Sequence, residues 1–239
     1  MKDLNGYVAV ITGVTAGVGE ATARAIVGKG GQVVGGARRV DRLRALERDL
    51  GESFRGVEMD VRNRDDSRRL VDQALTAFGT VDGLVANTGI GIYGGIMDPT
   101  DDQLAQMMDT NIAGTVWPIR AVVPSMLDAG HGDIVIISSV AGLRGRGNEA
   151  VYAATKHAQM GLAGGLDREL HGKGIRVSAL CPGGIVTEFA MGAGRTEQSP
   201  ELAAMMTADM VADQVLWTIA QPAGMRTLVH SFRGSAEED

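Results

Sequence analysis

The sequence predicts a doubly wound α/β fold, a parallel sheet with helices on both faces, in one domain of 239 residues. Three observations carry this. Short apolar runs of β type alternate with longer stretches of helical period, the order that builds strand–helix–strand units. Runs such as VAVI at 8–11 and IVII at 134–137 are apolar at consecutive positions, which marks strands buried on both faces of a parallel sheet. Glycine is abundant, at 34 residues against 4% aromatics, and many glycines sit where a strand gives way to a helix. That placement suggests close approach of the backbone to a ligand.

The elements follow in order. Strands are expected over 7–12, 32–37, 53–58, 83–86, 133–137 and 175–180, and helices over 19–29, 40–50, 65–78, 100–126 and 150–171. A last strand over 226–230 joins an edge of the sheet, and the acidic SAEED end reads as a frayed tail. With no linker and no repeat in the chain, a single domain over 1–239 is expected.

Composition narrows the function. A net charge of −6 argues against nucleic acid or an anionic membrane as the main partner. The lone Cys181 cannot build a disulfide framework and fits a reducing compartment. It also reads better as a small buried hydrophobe than as a nucleophile. No apolar run approaches the ~20 residues of a membrane span, and the first residues lack a signal peptide's apolar stretch. A cytoplasmic location is expected. No Cys, His or carboxylate spacing suggests a metal site.

After the first strand comes Thr12-Gly13-Val14-Thr15-Ala16-Gly17-Val18-Gly19, opening a helix. Glycines there allow a tight turn and bring backbone N–H groups to a pyrophosphate at the helix N-terminus. About 20 residues on, an NAD site has an acidic residue for the ribose hydroxyl. This chain has Arg38-Arg39. Arginines cannot accept a hydrogen bond, but they bind a 2′-phosphate through charge-assisted bonds. NADP(H) is therefore expected ahead of NAD(H), with Arg38 the main contact and Arg39 secondary.

Ser139 closes the fifth strand run, and Tyr152-Ala-Ala-Thr-Lys156 lies on the following helix. Residues four apart share a helix face. A phenol titrates near pH ~10, and a neighbouring cation favours the phenolate, so this pair could exchange a proton near neutrality. By itself YxxxK is common by chance, and its plainer reading is a packing aromatic beside a solvated charge.

Taken together and in order, TGVTAGVG at 12–19, Asp60-Val61, Asn87-Thr88-Gly89, Asn111, Ser139, YAATK at 152–156 and Pro182-Gly183 with Thr187 resemble the short-chain dehydrogenase/reductase family, over nearly the whole chain. The resemblance implies a Rossmann fold and an NADP(H)-dependent oxidoreductase that interconverts a carbonyl and a secondary alcohol. It implies that Asp60 bonds the adenine amino group with Val61 beside the ring, and that Asn87 and Gly89 support the adenosine ribose. Asn111 would hold a water on its backbone carbonyl near the lysine. Ser139 would bond the substrate oxygen, Tyr152 would be the general acid or base, and Lys156 would bind the nicotinamide ribose and lower the Tyr152 pKa. Ile185 and Thr187 would hold the nicotinamide carboxamide. The family's common homotetramers and homodimers imply pairing through the helices that carry Asn111 and Tyr152, where Ala158, Gly161, Ala163 and Gly164 permit close approach.

The chain departs from the family pattern at Thr88, where alanine is usual, and at Thr15-Ala16, where some NADP(H) members carry a basic residue. The substrate pocket is expected from the loops 90–97, 140–149 and 184–210, the last a lid rich in Met191, Met205, Met206 and Met210. Those methionines suit an adaptable lid and plain packing equally. Arg144 and Arg146 suit a solvated loop better than an acidic substrate. Two other readings stay open: a 3-oxoacyl-thioester reductase, which the MRTLVHSFRG ending disfavours, and a cofactor-sensing protein without catalysis.

Overall fold

The computed structural model describes residues 2–196 and 198–237. Seven parallel strands form one sheet in the order β3-β2-β1-β4-β5-β6-β7. They are β1 (Val8–Thr12), β2 (Gln32–Ala37), β3 (Phe54–Glu58), β4 (Gly83–Ala86), β5 (Gly132–Ile137), β6 (Ile175–Pro182) and β7 (Val229–Phe232). Helices α1 (Gly17–Gly28), α2 (Val40–Leu50), α3 (Arg64–Phe78), α4 (Asp101–Met108), α5 (Gly114–Ala129), α6 (Ala150–Leu170) and α7 (Ala208–Ile219) complete it.

Side chains alternate across a strand, so each run feeds two cores. Val8 and Val10 of β1 face one way, with Leu70 of α3, Val122 of α5 and Ala163 of α6. Ala9 and Ile11 face the other, with Ile26 of α1, Leu43 of α2 and Val215 of α7. This two-sided burial is what the unbroken apolar runs predicted. Strand order reverses between β1 and β4, and a crevice opens at the carboxyl ends of strands flanking such a switch point.

Three elements differ from the sequence reading. The expected helix over 100–126 is two helices joined by a π-helical turn over Asp109–Ala113. Thr100 starts α4 with a capping box to Gln103, a signal visible in the sequence. The wide turn that follows has no such signal. Helix α7, begun by the Thr207 side chain accepting from the Met210 amide, starts at the end of the stretch assigned to a lid and continues through residues for which no helix was expected. The last strand lies over Val229–Phe232, a few residues beyond its expected place, and pairs in parallel with β6. The tail is anchored at Glu237, whose carboxylate accepts from the Gly184 amide at 2.9 Å. Glu238 and Asp239 lie outside the described residues.

Candidate active site

A cleft of about 1280 Å³ runs along the carboxyl ends of the strands. Its lining includes Gly13, Arg38, Asp60, Asn87, Ser139, Tyr152, Lys156, Gly183 and Thr187. The strand order thus gathers residues scattered over most of the chain.

The glycine turn forms one end. Gly13 has φ +71°, a left-handed conformation that glycine adopts without strain. A side chain on Gly19 would strike the Gly13 carbonyl and the Asn87 amide. Asn87 Nδ2 donates to the carbonyls of Thr12 and Gly13 at 3.0 and 3.3 Å, tying the β4 turn to the β1 turn. Ala16 precedes α1 in extended conformation and gives no side-chain cap. The first amides of α1 therefore face the cleft without an internal acceptor, an arrangement that suits a phosphate. Thr88 Oγ1 is buried beside Gly13 without a hydrogen-bond partner. These features fit a dinucleotide's pyrophosphate.

Beyond β2 the arginines divide. Arg38 is exposed near Asp60. Arg39, also exposed, lies along the glycine turn, with Nε donating to Thr15 Oγ1 at 3.2 Å and Nη2 to the Thr15 carbonyl at 3.3 Å. Arg42, one turn into α2, reaches the same carbonyl at 3.4 Å. Both guanidinium groups pair with Glu188, at 2.6 Å from Arg39 and 2.7 Å from Arg42, and hold its carboxyl below the usual range. Neither Arg42 nor Glu188 stood out in the sequence, because an arginine in a mixed-charge helix start looks solvated. Asp60 binds Arg62 through both carboxylate oxygens, which lowers its pKa, and Val61 is buried against Gly114.

At the other end, Tyr152 and Lys156 are 6% and 4% exposed. Ser139, at the mouth of β5, and Tyr93 lie within hydrogen-bonding reach of the Tyr152 phenol. The Tyr152 ring packs against Tyr93 at 5.5 Å and Phe189 at 5.9 Å between centroids. Tyr93 and Phe189 come from the loops after β4 and β6 and carried no motif that could have flagged them. Lys156 Nζ donates to the Ile137 carbonyl and to Gln159 Oε1, each at 3.0 Å, and sits 5.7 Å from the Tyr152 ring centroid. Burial pushes the phenol well above its ordinary pKa and pulls the lysine down to about 8. Desolvation is the largest cause of both shifts, so the phenol is not lowered as the resemblance implies for a neighbouring lysine.

Asn111 sits in the π-helical turn, fully buried. Its side chain accepts from the Ile90 amide at 2.8 Å and donates to the Ile90 carbonyl at 2.9 Å, fixing the loop after β4. Its carbonyl, read from the sequence as a water site, accepts from Thr115 Oγ1 at 2.8 Å and Gln159 Nε2 at 3.0 Å. Gly89 lies between Asn111 and Lys156. Pro182 ends β6, and the Gly183 amide bonds the Phe232 carbonyl at 2.9 Å. Ile185 bridges to Met206, while Thr187 packs against Gly17 and crosses the phosphate turn.

The loop after β4 is joined to both of the other pocket loops. Tyr93 donates its amide to the Ala193 carbonyl at 3.2 Å, and Gly94 to the Asn148 carbonyl at 2.7 Å. Of the four methionines, Met191 and Met205 line the cleft, Met206 is in a core cluster, and Met210 is exposed on α7. Arg144 and Arg146 stand at the rim. Cys181 is buried against Met160, its thiol pushed up to about 11. That suits packing and not nucleophilic attack.

A parallel sheet with a phosphate-shaped turn at one end of its crevice and a phenol–lysine pair at the other defines a nucleotide-binding α/β enzyme. The family model for short chain dehydrogenases matches residues 7–198, and the chain belongs to that family. Over 221 residues it is 34% identical to a serine 3-dehydrogenase of Agrobacterium fabrum (strain C58 / ATCC 33970), covering 89% of this chain and 88% of the relative. The closed form of a serine dehydrogenase complexed with NADP+ superposes with a TM-score of 0.92 at 29% identity, covering 97% and 96% of the two chains. A 3-ketoacyl-(acyl-carrier-protein) reductase of Brucella melitensis complexed with NADH gives 0.86 at 27% identity, with 98% and 99% covered. The chain is thus an oxidoreductase of the short-chain family.

Proposed function

We propose that the protein is an NADP(H)-dependent oxidoreductase that interconverts a carbonyl and a secondary alcohol of a small molecule, with Tyr152 as general acid and base. The observation that carries this reading is the convergence of Ser139, Tyr152 and Lys156 on one wall of a cleft whose opposite end is the glycine turn. When bound, the cofactor supplies or accepts the hydride. Ser139 and Tyr152 donate hydrogen bonds to the carbonyl oxygen, polarise it and stabilise charge that develops there. Tyr152 then gives up its proton in reduction and takes it back in oxidation. Lys156 keeps a positive charge beside the phenol.

Arg39 and Arg42 support NADP(H) over NAD(H), since both guanidinium groups already bind a carboxylate where a 2′-phosphate would enter. Likeness to serine dehydrogenases points to small β-hydroxy acids as the first substrates to try. The ketoacyl reductase likeness keeps 3-oxoacyl thioesters as the second class. The steps need no metal ion. No helix among the described residues is long and apolar enough to cross a membrane.

The test is NADPH or NADP+ turnover across a panel of hydroxy acids, ketones and oxoacyl thioesters. Tyr152→Phe should lower turnover by ~10²- to 10⁴-fold, the worth of general acid catalysis, with cofactor affinity nearly unchanged. Wild-type rates in that variant would refute the mechanism. Cofactor binding with no turnover anywhere in the panel would favour a cofactor-sensing protein instead.

A further inference from the structure

Gln159 stands one turn beyond Lys156 on α6, with 1% of its surface exposed. A buried amide carries two donors and an acceptor, and leaving them unpaired is costly. Gln159 satisfies them by joining two parts of the site. Its Oε1 accepts from Lys156 Nζ at 3.0 Å, and its Nε2 reaches the Asn111 carbonyl at 3.0 Å and Thr115 Oγ1 at 2.9 Å. Thr115 Oγ1 donates to the same Asn111 carbonyl at 2.8 Å. That carbonyl has two lone pairs and two side-chain donors to fill them.

The ammonium has three N–H groups. Two are directed at the Ile137 carbonyl and Gln159 Oε1, from β5 and α6. The third remains for a ligand in the cleft. Two fixed acceptors on separate elements define where a flexible lysine can place its charge. The titratable groups that face it are the Tyr152 phenol on its own helix and the Cys181 thiol on β6. The β4 turn and the π-helical turn present Gly89 and Asn111, neither of which ionises.

We propose that Gln159 is a positioning residue: it fixes the Lys156 ammonium beneath the cleft and, by filling the Asn111 carbonyl, closes the helix side of the site, so that Tyr152 and Lys156 exchange protons through the cleft. This rests on the reading of Tyr152 and Lys156 as the proton-transfer pair.

The experiment is an NMR titration of the protein labelled with [ε-¹³C]lysine. The chain has four lysines, Lys2, Lys29, Lys156 and Lys173, and burial separates Lys156, pulled down to about 8, from ordinary lysines. Gln159→Met keeps the side chain's length and removes the amide. The Lys156 midpoint should then fall by about one pH unit, as expected for loss of a hydrogen bond to an ammonium. Gln159→Glu retains an acceptor and should hold the midpoint at or above the wild-type value. On any substrate the wild type turns over, Gln159→Met should lower kcat about tenfold and leave KM within twofold, a split expected when proton transfer and not binding is impaired. A lowered Tm with an unmoved midpoint would overturn the proposal and make Gln159 a packing residue. If Gln159→Met does not fold, a Gln159→Glu midpoint below wild type overturns it. The titration needs no substrate, so its outcome stands apart from the oxidoreductase reading, which Tyr152→Phe tests.

Discussion

Arg38 and Arg39 are neighbours in the chain, yet the structure sends them to different places. Arg39 and Arg42 converge on Thr15 and Glu188, whereas Arg38 faces Asp60. The stronger phosphate contact is therefore expected from Arg39. Arg39→Ala should weaken NADPH binding by roughly 10- to 100-fold, the loss of a charge-assisted hydrogen bond, and leave NADH within a few-fold. Arg38→Ala should do less. Fluorescence titration with each cofactor decides, and a larger effect at Arg38 would restore the order expected from the sequence. Glu188 occupies donors that a 2′-phosphate needs. Glu188→Gln should tighten NADPH a few-fold, consistent with the modest strength of exposed ion pairs, without changing NADH. Weaker NADPH binding in that variant would mean that Glu188 orients the arginines and does not compete for them.

At the scale of elements, the site depends on two irregularities. One is the uncapped start of α1, which turns a missing side-chain partner into a binding surface. The other is the π-helical turn before α5, which holds Asn111 where it can bond the Ile90 backbone, Thr155 and Gln159 at once. Single-turn π segments occur often at functional sites. Asn111→Ala removes three side-chain bonds from a buried network and should cost roughly 2–3 kcal/mol of stability. It should also speed hydrogen exchange at the Ile90 amide. Unchanged exchange there would show that the β4 loop is held by other contacts. The first irregularity was legible in the sequence, because a glycine-rich turn after a first strand has few other uses. The second was not, since an apolar period of 3.6 continues through 100–126 and carries no mark of the extra residue. The core strands were legible for the simplest reason, continuous apolar runs. Tyr93, Phe189, Arg42, Glu188 and Gln159 were not, because each acquires its role only by meeting residues far away in the chain.

For the whole molecule, buried ionisable groups set an alkaline limit. Lys156 loses its proton at about 8 in the fold but at its ordinary 10.5 when unfolded, so the unfolded chain binds more protons between these values and stability rises with pH there. Cys181, raised from 9.0 to about 11, acts in the opposite sense. Its contribution is complete below pH 9 and is lost as pH rises through 11. Tyr7 and Tyr152 are also pushed above 10 by burial and lose their contributions over a higher range. Urea denaturation between pH 7 and 11 should therefore show a stability maximum near pH 9 and a steep fall beyond pH 10, removed in part by Cys181→Val. A profile that falls steadily from pH 7 would contradict these assignments. Assembly is a proposal at this scale too. Gly161 and Gly164 are exposed on α6 with open space around them, which fits a homodimer or homotetramer paired through α5 and α6. Ala163, also expected on that face, is buried in the protein's own core. Light scattering will show a multiple of the 25.0 kDa chain if this pairing forms.

The backbone bonds from Tyr93 to Ala193 and from Gly94 to Asn148 bear on how such a pocket can be re-engineered. The 90–97 loop carries both bonds, so transplanting it alone from a relative would strand the Asn148 and Ala193 carbonyls on the two left behind unless its amides fall in the same places. The pocket wall is a three-piece cassette, and a change of substrate by grafting would succeed best when all three pieces travel together.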